Sequence, residues 1–549
     1  MHPILGVLST LLALLLSSRE VTATESSFTS VGEDFLQCLN VNHVPNTPTI
    51  PIYTQNNASY RIILRFSNRN FRFLSTTKPK FIVTPTHESH VQASVVWCKK
   101  HGLDLKIRSG GHDAEGLSYV SDAQSFVIVD LIYFRNVTVD VNGSTAWIQA
   151  GATLGEVYYN IAKKSKTHGF PAGFAPTVGV GGHIGGGGLG ALVRKYGLAA
   201  DRVIDAYIVN ADGKILNKKS MTEGLFWAIR GGGAASFGVV LSWKVKLVRI
   251  PATVTVAMVQ KTLGQGATDT VHKWQFIADR LNKDVFIGVK ISLVGNNKTN
   301  LGDERIVQAE FSILFLGKGG IPKLLQLSQE NFPELGLKNK DCSEMTWAES
   351  HLYFSHEHGK PLEFLLARDD PSTENFSKSK SDHVKVPITK NGLLELWRRL
   401  LEHDDITPTL IWTPYGGKMN EISVSEIPFP HRQGNIYNIL YVVSWFEDGE
   451  SEKNLDWMRN LYEYMTPYVS KSPRTAYLNT RDLDLGEYDN GQSISYLKAR
   501  EWGRKYFKDN FERLVQVKSE VDPGNFFNNK QSIPPIRVID LGVKNYCSI

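Results

Sequence analysis

PAGFAPTVGVGGHIGGGGLG, from Pro171 to Gly190, is the stretch that decides the fold. Its glycines crowd between Gly179 and Gly190, where the lack of a Cβ lets backbone amides approach an anion closely and point at it. The natural inference is a phosphate cradle, since a flexible linker seldom carries Val178, Val180, His183 and Ile184 among its glycines. Gly185 to Gly190 even satisfies G-x-G-x-x-G, but no β-branched strand runs straight into it, so a Rossmann turn fails its context. Two further glycine turns flank it. RSGGHDAEGLSY, Arg108 to Tyr119, sets a histidine in a turn after a strand, and AIRGGGAASFGVV, Ala228 to Val240, leads into a strand.

Around these turns, from Lys80 to about Ile250, the β-rich runs FIVTP, LKIRSGG, FVIVDL and AWIQAGA alternate with the helical patterns HESHVQASVVWCKKHG and LGEVYYNIAKKS. A second region, from about Pro251 to Pro473, offers the strands TVTVAMVQ, DVFIGVKISLV, VQAEFSILFLG, LIWTPYGG and IYNILYVVSW, with helices such as IPKLLQLSQENF and LLELWRRLLEH between them. That pattern predicts an antiparallel sheet with helices on one face. The tail reads as one charged helix, SISYLKAREWGRKYFKDNFERLVQVKSEV, followed by DPGNFFNNKQSIPP.

The 549 residues are 42% hydrophobic and 21% charged, a globular composition that excludes disorder and fibre. Basic and acidic residues nearly balance, 61 against 55, and are dispersed, which argues against nucleic acid as a partner. The densest basic run, KSKSDHVK from Lys378 to Lys385, reads as a solvated loop. The apolar run Ile4 to Leu16, followed by Val21-Thr22-Ala23, reads as a secretory signal over residues 1–23, so the mature chain is expected to be soluble and secreted or vacuolar. No later stretch reaches the roughly 18 apolar residues of a membrane span. Cys38, Cys98, Cys342 and Cys547 are widely spaced with no C-x-x-C, so no metal site is expected, and Asn57, Asn136, Asn142, Asn297 and Asn375 open glycosylation sequons.

In this order, the three glycine turns resemble the berberine bridge enzyme family of plant flavoproteins, within the p-cresol methylhydroxylase or vanillyl-alcohol oxidase superfamily. The resemblance spans nearly the whole chain through NFPELGLKNKDC near Phe332, WTPYGG at Trp412, IPFPHRQGN at Ile427, RDLDLG at Arg481 and VDPGNFFNNKQSIPP, and the C-terminal motifs look particularly similar to cannabinoid synthases. It implies an α+β fold with an FAD-binding domain of the p-cresol methylhydroxylase type in two parts, 24–250 and a C-terminal segment 474–549. Between them lies a substrate-binding domain, 251–473, and Cys38 pairs with Cys98. By the same resemblance His112 bonds to the flavin 8α carbon, a link that makes the flavin a stronger oxidant and prevents its loss. The implied cofactor contacts are Arg108, Ser109, Gly110, Gly111, His112, Thr177, Val178, Gly179, Gly181, Gly182, His183, Gly238, Val239 and Asn525.

The departures are as informative. Many relatives have a second flavin link from a cysteine where this chain has Ala175, so the attachment is expected to be single; Val178 is compatible with oxygen access. The tyrosine base of N-Y-R-D is replaced by Thr480, the glutamate of Y-E-L-W-Y by Asn438, and the tyrosine before PYGG by Thr413. A threonine hydroxyl is far less acidic than a tyrosine's, whose reference pKa is about 10, and cannot accept a proton near neutral pH. Tyr488 or His431 are the replacement bases to consider, and Tyr353, Phe354, Trp412 and Tyr415 could line a pocket or fill a core.

Two readings compete. The first is hydride transfer from a phenolic, prenylated or alkaloid substrate to flavin, with O2 as final acceptor and cyclisation of the product; an amine donor needs little base because its lone pair assists hydride departure. The alternative is a redox-silent Diels-Alderase that keeps FAD structurally and uses Thr413, Asn438, Thr480 and Trp412 as neutral groups around a near-attack geometry. A non-catalytic flavoprotein ranks third, because the linkage histidine is retained beside a specifically altered pocket.

Overall fold

A computed structural model describes residues 50–66, 70–73, 75–123, 125–295, 305–368, 375–488 and 495–536. The expected signal segment, Cys38, Cys547 and the Asn297 sequon lie outside the described residues. Among the described residues no helix is long and apolar enough to cross a membrane, and Cys98 and Cys342 are not joined to each other.

Three sheets of four or more strands organise the described residues. The first, in the order Ile52–Tyr53, Phe81–Val83, Phe126–Asp130, Asp104–Arg108, is parallel in its last three strands. The two inner runs, FIV and FVIV, are apolar and buried throughout, as strands covered on both faces must be. The second is antiparallel, in the order Val137–Asp140, Thr145–Gln149, Val239–Lys246, Val203–Val209, Ile215–Leu216. Both share one continuous core with the glycine-rich segment and with tail residues such as Trp502, Phe511 and Leu514.

The third sheet has seven antiparallel strands, in the order Cys342–Met345, Val254–Thr262, Ile306–Phe315, Val285–Val294, Thr407–Pro414, Tyr437–Trp445, Phe376–Val384. Side chains alternate between its faces. Val289, Phe311, Trp412 and Tyr437 join a second core with Trp274, Leu396 and Trp457 of the helices Ala267–Ile277, Lys390–Leu400 and Ser451–Tyr464. On the opposite face Val256, Phe286 and Leu314 belong to the first core, so this face looks toward the glycine turns.

Two readings of the sequence are corrected. The charged tail forms two helices, Tyr496–Phe507 and Asn510–Val521, broken at Lys508, where φ is 48°. The break folds one apolar face onto the other: a Cβ at Gly503 would lie 2.3 Å from the Phe511 ring. KSKSDHVK is a buried strand rather than a solvated loop. The side chains of Lys378 and Lys380 are 2% exposed because acids from elsewhere neutralise them: Lys378 pairs with Glu115 and with Asp482 at 2.7 Å, and Lys380 with Asp482 at 2.8 Å and Asp484 at 2.6 Å. This cluster ties the third sheet to the turn that carries His112 and to the segment that carries Thr480.

Candidate active site

The three glycine turns and the third sheet meet around a cavity of about 370 Å³. Its walls are the 109–114 turn, Val178 to Gly186, the 233–238 turn, Leu440 from the sheet, Tyr477 to Arg481, and Asn529. The first two walls interlock. A Cβ at Gly110 would stand 2.3 Å from Gly179 N, and one at Gly179 would stand 2.3 Å from Gly110 N and from Ser109 Oγ. Ser109 Oγ donates to Ala150 O at 2.6 Å, and Val180 N and Gly181 N donate to Ala152 O and Ala150 O, which clamps both turns onto the second sheet. At Gly182, by contrast, a Cβ would meet nothing within 4 Å. Much of the cavity is thus walled by bare backbone, the surface a flat ring system and a diphosphate require.

Of the residues expected to contact the cofactor, Ser109, Gly110, Gly111, His112, Val178, Gly179, Gly181, Gly182, His183 and Gly238 stand on this wall. His112 Nε2 lies 3.0 Å from the hydroxyl of Thr177, which backs the histidine without lining the cavity. His183 Nε2 accepts from Gly173 N at 3.0 Å, and burial pushes its pKa down to about 4, so the ring is neutral. Three residues are placed elsewhere. Arg108 is turned into the first sheet, where its guanidinium pairs with Asp130 at 2.7 Å and donates to Ile63 O and Leu64 O. Val239 points into the core while its neighbours Gly238 and Val240 line the cavity. Asn525, at φ 52°, shapes the turn after the last helix, and Asn529 takes the wall position.

The expected chemical groups divide as sharply. Thr480 is on the wall. Thr413 and Asn438 are cross-strand partners on the sheet face that also presents Leu440; both are buried, and Asn438 Nδ2 donates to Asp382 O at 2.9 Å. Trp412, one residue away, faces the opposite side, stacked on Tyr437 at 4.9 Å, and is a core residue of the helical layer. His431 is buried against His383 at 4.0 Å with Nε2 donating to Tyr506 O, and burial holds its pKa well below the usual value. Tyr488 packs edge-on against Trp502 in the tail. Neither replacement base reaches the wall. Tyr415 is core, its hydroxyl 3.3 Å from His383, and Phe354 and Tyr353 pack beside the first core, Phe354 edge-on to Phe174.

Sequence reasoning missed Tyr477. Its hydroxyl, on the wall, accepts from Gly188 N at 3.0 Å, Leu189 N at 3.2 Å and Asn479 Nδ2 at 2.9 Å. Burial pushes its pKa up to about 12 although those donors pull it down. The available signal was its position, three residues before Thr480. Asp113, also on the wall, is raised by burial and accepts from Glu115 N at 3.0 Å. Neither Thr480 nor Tyr477 is therefore poised to take a proton near neutral pH, while Asp113 keeps a carboxyl, raised by burial, on the wall beside His112.

A cavity walled by glycine turns and set against an antiparallel sheet is the architecture of a class of FAD-dependent oxidoreductase, and comparison places the chain within it. Residues 79–218 match the model of an FAD binding domain, and residues 476–534 that of berberine and berberine-like proteins. The chain is 59% identical to a tetrahydroberberine oxidase of Argemone mexicana over 97% of this chain and 96% of that one. It is 53% identical to a tetrahydroberberine oxidase of Berberis wilsoniae, over 95% and 97%. The crystal structure of berberine bridge enzyme from Eschscholzia californica superposes with a TM-score of 0.85 at 37% identity, covering 92% of this chain and 99% of that one. The chain belongs to the berberine bridge enzyme-like family of FAD-dependent oxidoreductases.

Proposed function

We propose that this enzyme oxidises a tertiary amine of the alkaloid type at the carbon next to nitrogen, giving an iminium ion. The observation that carries the reading is Thr480 on the wall, a hydroxyl that stands in place of a group able to accept a proton near neutral pH. An alcohol or phenol must shed a proton as its hydride leaves, so it needs such a group. A neutral amine does not: its lone pair becomes the new C=N bond while the hydride departs with the C–H electron pair. Bound FAD supplies the hydride acceptor, and O2 takes the two electrons afterwards. The relatives at 59% and 53% identity, both named tetrahydroberberine oxidases, support an amine substrate.

Within this reading His112 is the single covalent attachment, since Ala175 offers no sulfur, and Thr177 orients its ring through the 3.0 Å contact. Gly110, Gly179 and Gly182 make room for the cofactor, Leu440 and Thr480 close the substrate side, and the N–H groups around Tyr477 hold a neutral phenol at the edge of the site. The signal segment, the Cys38–Cys98 disulfide, passage through the secretory pathway and the division into domains at residues 250 and 473 belong to the same proposal. A redox-silent cycloaddition draws on the same cavity, and the two differ in the mass of the product.

The test is the pH dependence of flavin reduction under anaerobic conditions. The rate at low substrate concentration is expected to rise with pH along one limb set by the substrate's own amine, because only the free base has a lone pair. An amine of lower pKa moves that limb down by the same amount. A limb that stays fixed when the amine is changed would reveal an enzyme base and refute the reading.

A further inference from the structure

The turn that gives Gly233, Ala234, Ala235, Ser236 and Gly238 to the cavity wall is gripped from two sides. On one side Gly231 N and Gly233 N donate to Gly185 O at 3.0 and 2.8 Å, which ties it to the glycine-rich segment. On the other stands Lys518 of the helix Asn510–Val521, 282 residues further along the chain than Ser236. Its Nζ donates to Ser236 O at 2.6 Å, to Phe527 O at 2.8 Å and to Asp522 Oδ2 at 2.6 Å. An ammonium has three N–H groups and no acceptor, so these contacts satisfy it in full, and its side chain is 0% exposed.

Asp522 extends the grip to the tail. Its Oδ1 accepts from Phe526 N and its Oδ2 from Phe527 N, both at 2.9 Å, so the carboxylate that neutralises Lys518 also shapes the turn leading to Asn529 on the wall. Two wall segments from distant parts of the chain thus meet on one ammonium, which itself lines no part of the cavity. A buried ion pair often contributes no more stability than packed apolar side chains of the same volume. What an apolar pair cannot do is donate to Ser236 O and Phe527 O together, and that bridge is what the charge provides.

We propose that Lys518 is a positioning residue for the flavin cofactor. It sets the 233–238 turn and the Asn529 turn at the separation the cofactor requires, so the C-terminal segment completes the site through a side chain that touches neither flavin nor substrate. This rests on the flavin reading of the cavity, which loss of flavin from a Gly179→Ala variant tests separately, and on nothing about the substrate.

The experiment compares the native holoenzyme with Lys518→Met and with the double variant Lys518→Met, Asp522→Asn by thermal melting, by flavin content from visible absorbance, and by the visible circular dichroism of the bound flavin. Lys518→Met leaves a buried carboxylate without its cation, which should lower both the melting temperature and the flavin signals. The double variant has no unpaired charge and keeps an acceptor for the Phe526 and Phe527 N–H groups, so it should regain most of the lost melting temperature. Its flavin signals should stay reduced, because Ser236 O and Phe527 O still lack their common donor. Flavin content and dichroism that equal those of the native enzyme in the double variant, or that recover in step with the melting temperature, show that Lys518 acts on stability alone and overturn the proposal. Should Lys518→Met fail to fold, the double variant decides alone.

Discussion

Gly179→Ala should yield protein that carries no flavin and unfolds at a markedly lower temperature. The substitution is permitted by the backbone, since Gly179 has φ −74° and ψ 134°, ordinary extended values. The obstacle is space. Its Cβ would lie 2.3 Å from Gly110 N and 2.8 Å from Gly110 Cα. These are main-chain atoms of a turn clamped by Ser109 to Ala150, so relief requires moving the turn that carries His112. Overpacking that displaces backbone costs about 1–3 kcal/mol and often more, and here it also separates the two loops that wall the cofactor. Gly182→Ala is the control, because its Cβ meets nothing within 4 Å. That variant should fold with native thermal stability in the absence of FAD. The ratio of visible to ultraviolet absorbance after purification, with a thermal melt of each variant, checks the contrast; a yellow, stable Gly179→Ala protein would contradict it.

The second large effect is acid sensitivity. Four histidines are held neutral: desolvation pushes the pKa of His183 down to about 4 and those of His351 and His383 down to about 3, and drives that of His431 well below its usual value. In the unfolded chain each returns to about 6.5. Below that pH the unfolded state binds protons that the folded state refuses, so stability is lost as pH falls from about 6.5 toward 4. At pH 5 the loss is about 2 kcal/mol per histidine, or about 8 kcal/mol together, within the range of the whole stability of a domain. Asp382, pushed up to about 6 by burial while paired with Arg474, opposes this, but one carboxyl does not offset four imidazoles. His351→Phe isolates one contributor. His351 stacks on Tyr158 at 3.9 Å and neither ring nitrogen has a hydrogen-bond partner, so phenylalanine keeps the stack and removes the proton site. Its acid unfolding midpoint, followed by circular dichroism, should move to lower pH; an unchanged midpoint would show that His351 is not a contributor.

The parts of this structure legible in the sequence are those written locally. β-branched runs became strands, and glycines crowded where two backbones had to touch, as at Gly110 and Gly179. What was illegible depends on partners distant in the chain. Lys378 and Lys380 look solvated until Glu115 and Asp482 are brought to them. Arg108 sits beside the cavity turn in sequence, yet Asp130 draws its side chain the other way. Trp412 and Thr413 are neighbours whose faces are opposite, and an alternating pattern alone does not say which parity meets the flavin. Tyr477 gave no signal of its own because its importance lies in three N–H groups supplied by Gly188, Leu189 and Asn479. The replacement of expected base residues by Thr480 and Asn438 was readable; that Tyr488 and His431 do not substitute for them required the fold.

The most direct test of amine oxidation at a wall where threonine stands in place of a base is to mix the purified protein with a tetrahydroprotoberberine-type tertiary amine in the absence of oxygen and watch the flavin's visible band while products are weighed by mass spectrometry. The account predicts that the band bleaches as an iminium ion lacking one hydride accumulates, and that colour returns when air is admitted. A product of unchanged mass with the flavin still yellow would contradict it and identify a redox-silent cyclase instead.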